Sequence, residues 1–157
     1  MLFYYLSIIW RVHAKKMVDI LHQIIIDSPP SEVYSAITTE QGFKSWWTTD
    51  ISGDSKEGSV LIFGFYNRSV VFRMRIDRLS PYETINWTCL GDPAEWKDTK
   101  LMWELKQKNS SQIILTFSHT GWRSTEGEYR MCNTTWGHLM MLLKDYVEKG
   151  IINPFFT

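Results

Sequence analysis

At 157 residues the chain has the size of one domain, about 15 Å in radius of gyration if compact, and can bury a full core without a disulfide or metal staple. Its 17 basic and 17 acidic residues cancel, which argues against an electrostatically driven binder of nucleic acid or of an anionic membrane. The 8 Trp, 7 Tyr and 8 Phe must fill a core, line a cavity, or both.

Residues 1–10 (MLFYYLSIIW) are nearly all apolar and are followed by Arg11, His13, Lys15 and Lys16. The run is shorter than the roughly 20 apolar residues of a membrane span, and it lacks the leading positive charge and the cleavage site of a secretory signal. Residues 1–16 therefore read as an N-terminal extension, with a short membrane-touching segment as the alternative, and residues 17–157 as a single domain. Asn-x-Ser/Thr triplets begin at Asn67, Asn86, Asn109 and Asn133. Two of them fall inside a predicted strand and a predicted helix, where a glycan fits badly. Together with two cysteines on apolar faces, this points to the cytoplasm.

Residues 20–26 (ILHQIII) form a β-branched run closed by Asp27-Ser28-Pro29-Pro30, a strand followed by a breaker. Val33, Ala36 and Ile37 then recur at helical spacing, and a second short helix starts near Thr39 and ends at Phe43, Trp46 and Trp47. Gly53, Asp54, Ser55 and Gly58 mark a loop. From Ser59 to His119 the pattern has period two. A four-residue turn at residues 66–69 pairs Phe65 with Val70 and Phe63 with Phe72. A two-residue turn at Ser80-Pro81 pairs Ile76 with Ile85, Met74 with Trp87 and Phe72 with Cys89. A three-residue turn at residues 109–111 sets Leu105 against Leu115, Trp103 against Phe117 and Leu101 against His119. One face is aromatic-rich, while Arg73, Arg75, Asn86 and Thr88 lie on the other. Finally Tyr129, Cys132, Trp136, Leu139, Met140, Leu143, Tyr146 and Val147 recur at three-to-four spacing from about Glu126 to Lys149, capped by Gly150. The class is α+β: a curved antiparallel sheet of about six strands around a long C-terminal helix, with two short helices after the first strand.

That order, with the string from Ser28 to Tyr34, Thr38-Thr39 through Trp46-Trp47, Phe117-Ser118-His119-Thr120-Gly121-Trp122, and Cys132 with Trp136 leading into Tyr146 to Gly150, resembles the helix-grip fold of the START-like (SRPBCC) superfamily. Within it the chain is similar to the branch named for the activator of the ninety-kilodalton heat-shock protein's ATPase, over about residues 18–150. The resemblance implies a cavity between sheet and long helix for a small apolar or amphipathic molecule. It implies no particular reaction, because such folds serve binders, carriers, cyclases and chaperone regulators alike.

The residues expected to form that site are Phe63, Phe65, Phe72, Trp87, Trp103, Phe117, His119, Cys132 and Trp136, with Trp46 and Trp47 as a gate and Trp122 as a turn anchor beneath the helix. His119 is a general acid or base, or else a structural histidine holding the turn at Thr120-Gly121-Trp122; the absence of an assigned acidic partner favours the structural role. Two adjacent tryptophans cannot both enter one core from one helical face, so one of Trp46 and Trp47 is expected at a rim. Cys89 and Cys132 read as small hydrophobes, and the histidines at 13, 22, 119 and 138 show no metal-ligand spacing. The sequence thus reads as a ligand-binding domain without cofactor or metal, monomeric or homodimeric, with a chaperone-regulating module and a cyclase- or hydrolase-type enzyme using His119 as the alternatives.

Overall fold

The computed structural model describes residues 18–91 and 93–157; the expectations for residues 1–16 lie outside these. β1 (Val18–Ile26) is followed by α1 (Pro30–Ala36), α2 (Glu40–Trp46), β2 (Asp50–Ser52), β3 (Val60–Phe65), β4 (Val70–Ser80), β5 (Thr84–Cys89), a 3₁₀ turn (Ala94–Trp96), β6 (Lys100–Gln107), β7 (Ile113–Trp122) and α3 (Glu128–Lys149). All seven strands join one antiparallel sheet in the order β1-β7-β6-β5-β4-β3-β2. The α+β architecture is the expected one, with β2 added at the sheet edge.

The register follows from side-chain alternation wherever the turn lengths were legible. Phe65 pairs with Val70 and Phe63 with Phe72, and Leu105, Trp103 and Leu101 face Leu115, Phe117 and His119. The β4–β5 hairpin differs from expectation by two residues: Ile76 faces Trp87 and Met74 faces Cys89. Its turn holds three residues between Ser80 and Thr84, with Tyr82 at φ +65°. An odd-length turn would flip every later side chain to the other face, and a bulge at Asp77 restores the alternation. The bulged carboxylate accepts from Arg75 Nε at 2.7 Å.

The second correction concerns residues 120–122, which continue β7 instead of forming a turn. Ile20 faces His119 but Val18 faces Trp122, so the register slips by one where Gly121 adopts φ +88°. That glycine bulge returns Trp122 to the face that carries Phe117 and His119.

α3 lays Trp136, Leu139, Met140 and Leu143 onto the sheet's concave face and ends at Gly150, whose left-handed φ of +69° only glycine adopts without strain. Its N-terminus has no side-chain cap of its own; the Glu95 carboxylate accepts from the Glu128 N–H at 3.1 Å. Beyond α3 the last residues form a strap. The N–H groups of Asn153, Phe155 and Phe156 bond the carbonyls of Ser45, Trp46 and Trp47 at 2.9, 3.2 and 2.9 Å, satisfying the C-terminal end of α2. No helix among the described residues is long and apolar enough to cross a membrane.

Candidate functional site

Strand alternation points Leu61, Phe63, Phe65, Met74, Ile76, Trp87, Leu101, Trp103, Leu115 and Phe117 inward, and α2 and α3 close over them. The centre of this space is filled by rings. Trp103 lies 4.5 Å from Phe117, Phe117 lies 4.3 Å from Trp136, and Trp47 lies 4.4 Å from Phe63. Trp46 and Trp47 are both buried, stacked at 5.7 Å and 20°. Of the two, only Trp47 lines the cleft described below. Trp46 is the last residue of α2 and Trp47 its C-cap, whose N–H still bonds the Phe43 carbonyl at 2.9 Å. The Trp46 indole N–H bonds the Ala36 carbonyl at 3.0 Å.

An open cleft of about 280 Å³ lies beside this packed centre. It runs between the tips of β3 and β4, the 3₁₀ turn and the first half of α3. Its walls are largely aromatic: Trp96 stacks on Phe72 at 4.2 Å and 27°, Phe65 meets Phe72 at 4.9 Å, and Phe156 of the C-terminal strap meets Phe65 at 4.7 Å. Of the residues expected in the site, Trp47, Phe65, Phe72, Cys132 and Trp136 line the cleft. Trp46, Phe63, Trp87, Trp103, Phe117, His119 and Trp122 do not; they form the packing behind it. Trp122 sits under the start of α3, 5.5 Å from Tyr129. Sequence reasoning missed Trp96, Phe156 and Glu128. Trp96 lies in a segment without periodicity, and its only signal is a large ring after Pro93 where loops are usually polar.

His119 is fully buried and its role follows from its partners. The Trp136 indole can only donate, so Nδ1 of His119 accepts from it, at 3.3 Å. The proton must then be on Nε2, which donates to the Thr99 hydroxyl at 2.9 Å, and that hydroxyl donates to the Trp96 carbonyl at 2.6 Å. A directed chain thus runs from α3 through β7 to the turn that carries Trp96. It does not run to residues 120–122, as the sequence suggested. Burial holds the imidazole down to about 3, so it is neutral at physiological pH. With both nitrogens engaged and the ring behind the cleft wall, His119 has no free position from which to move a substrate proton.

Electrostatics inside the cleft rest on α3. Burial pushes the Cys132 thiol up to about 12. The Glu128 carboxyl is raised by burial and then by the neighbouring Glu95 carboxylate, against an opposing contribution from the Trp96 indole. No group of three or more metal-ligating side chains occurs among the described residues.

A family model described as Activator of Hsp90 ATPase homolog 1-like protein matches residues 27–148. The Aha1 dimer from Colwellia psychrerythraea, a solution structure, is similar at 34% identity and TM-score 0.78, over 85% of this chain and 98% of that one. A protein from Staphylococcus saprophyticus is similar at 15% identity and TM-score 0.71, over 87% of this chain and 96% of that one. CalU16 from Micromonospora echinospora is similar at 20% identity and TM-score 0.66, over 88% and 78%. The last two likenesses show the fold alone. No curated protein matches the sequence.

Proposed function

This chain belongs to the family of Activator of Hsp90 ATPase homolog 1-like proteins, and from that premise we propose that it binds a small apolar or amphipathic molecule in the cleft between sheet and long helix. The observation that carries the reading is the cleft's composition: Trp47, Phe65, Phe72, Trp96, Trp136 and Phe156 leave apolar surface facing an opening of about 280 Å³. Ligand sites are concave and mostly apolar with a few polar groups, and run from roughly 300 Å³ upward, so this one suits a small molecule. The polar groups here are Glu128, Cys132 and Thr135 on one face of α3. Neutral, fully bonded His119 supports binding over turnover. Native mass spectrometry of the purified full chain tests the reading: a co-purifying apolar molecule, lost in Thr135→Trp, which places a large ring from α3 at the cleft, supports it. A protein that takes up no apolar molecule in wild-type form contradicts it.

A second reading, regulation of a chaperone, is favoured by the family's description and by 34% identity to the Colwellia psychrerythraea Aha1. A pull-down that retains a chaperone equally well with wild type and Thr135→Trp would support it independently of the cleft. That Aha1 is described as a dimer; light scattering on this chain distinguishes monomer from homodimer. We propose a cytoplasmic location, as expected for a chain whose two cysteines lie on apolar faces, and we take residues 1–16 as an extension outside the domain.

A further inference from the structure

Among the described residues that line the cleft, Glu128 alone carries a charge. None of the ion pairs formed among the described residues uses it. The charge that acts on it is another carboxylate, Glu95, held in place by the hydrogen bond from the Glu128 N–H at 3.1 Å. The basic groups near the start of α3 are turned elsewhere: Arg130 pairs with Glu126 at 2.6 Å and Arg123 lies 3.9 Å from Asp98. The mouth of the cleft therefore carries negative charge without a counterion among the described residues.

Beside it stands Trp96, 3% exposed, whose Nε1–H is buried without a well-aligned partner and faces Cys132 and Glu128. A buried donor left unpaired is costly. A ligand cation that keeps Glu128 ionised leaves its carboxylate the stronger acceptor for this indole. A carboxylate at the edge of an apolar cleft attracts a cation directly, weakly screened by water. Given the reading of the cleft as a ligand site, we propose that its Glu128 end selects molecules in which an amine or quaternary ammonium is joined to an apolar body. The apolar body lies against Phe65, Phe72 and Trp136, and the cation sits against the Glu128 carboxylate.

Three ten-carbon probes below their micelle concentrations test this on the full chain by tryptophan fluorescence: decyltrimethylammonium, decanol and decyl sulfate. The ammonium is expected to bind about tenfold more tightly than the alcohol, with the sulfate weakest. Glu128→Gln brings ammonium and alcohol to within about twofold and leaves decanol affinity unchanged. Glu95→Gln, which keeps an acceptor for the Glu128 N–H, lowers the preference in part. Equal binding of ammonium and alcohol by the wild type overturns the selection while leaving the cleft reading in place. A preference that survives both substitutions overturns it too. Binding of none of the three removes the cleft reading, and this inference with it.

Discussion

Replacing His119 by Leu tests the hydrogen-bonded chain that ties α3 and β7 to the 3₁₀ turn. The substitution keeps bulk and removes both ring nitrogens. Trp136 Nε1–H is then buried without an acceptor, and the Thr99 hydroxyl loses the bond it accepts while keeping the one it donates to Trp96. One orphaned donor and one lost bond together cost about 2 to 4 kcal/mol. His119→Gln, whose amide has a donor and an acceptor, should cost about half as much or less. The pH dependence is the sharper signature. Burial lowers the folded imidazole from 6.5 to about 3, so the unfolded chain binds a proton that the folded one refuses. The stabilisation is therefore fully present above pH 6.5 and drains away as pH falls toward 3. Relative to the Leu variant, wild type loses about 1.4 kcal/mol per pH unit below that point. Urea unfolding at pH 7.5 and 4.5 reads this directly, since every other titrating group is common to the two proteins and cancels. The gap at pH 7.5 should shrink by about 3 kcal/mol at pH 4.5. A gap that does not change with pH, or a Leu variant as stable as wild type at pH 7.5, would refute the assignment.

Trp47→Ala and Trp103→Ala should each cost about 3 to 5 kcal/mol in chemical denaturation, because both rings are buried among other rings; a mild Trp47 effect would return that residue to a peripheral gate. The Cys132 thiol, held protonated by burial, should react slowly with a disulfide reagent at pH 8, and more slowly with an apolar ligand bound; rapid labelling unaffected by ligand would place it outside the cleft. A chain beginning at Met17 should keep the thermal midpoint of the full protein, and a loss of several degrees would mean that residues 1–16 pack on the domain.

Much of this architecture was legible because period-two and period-3.6 patterns are local. The α3 stripe from Tyr129 to Leu143, the β3–β4 and β6–β7 registers and the Thr39 start of α2 all follow from spacing alone. The β4–β5 slip was not legible: a three-residue turn and a bulge at Asp77 compensate each other, and neither leaves a mark on which residues are apolar. The strand through Gly121 was hidden for a related reason, since a glycine reads as a turn until a partner strand is seen across from it. The cleft was legible in kind but not in place. Inward-pointing rings were identified, yet whether Phe117 or Phe72 faces open space depends on how α2, α3 and the C-terminal strap fill the volume between them. Trp96 and Phe156 come from segments without periodicity, and only tertiary contact brings them to Phe72 and Phe65.

Occupation of this cleft by a small apolar molecule can be read from the indole N–H signals of the protein. In a ¹H–¹⁵N spectrum of the full chain titrated with decyltrimethylammonium, the signals of Trp47, Trp96 and Trp136, which line the cleft, should move most, Trp96 foremost. Those of Trp46, Trp87, Trp103 and Trp122, packed behind it, should stay nearly still. Shifts confined to the packed set, or no shift at saturating probe, would contradict the account.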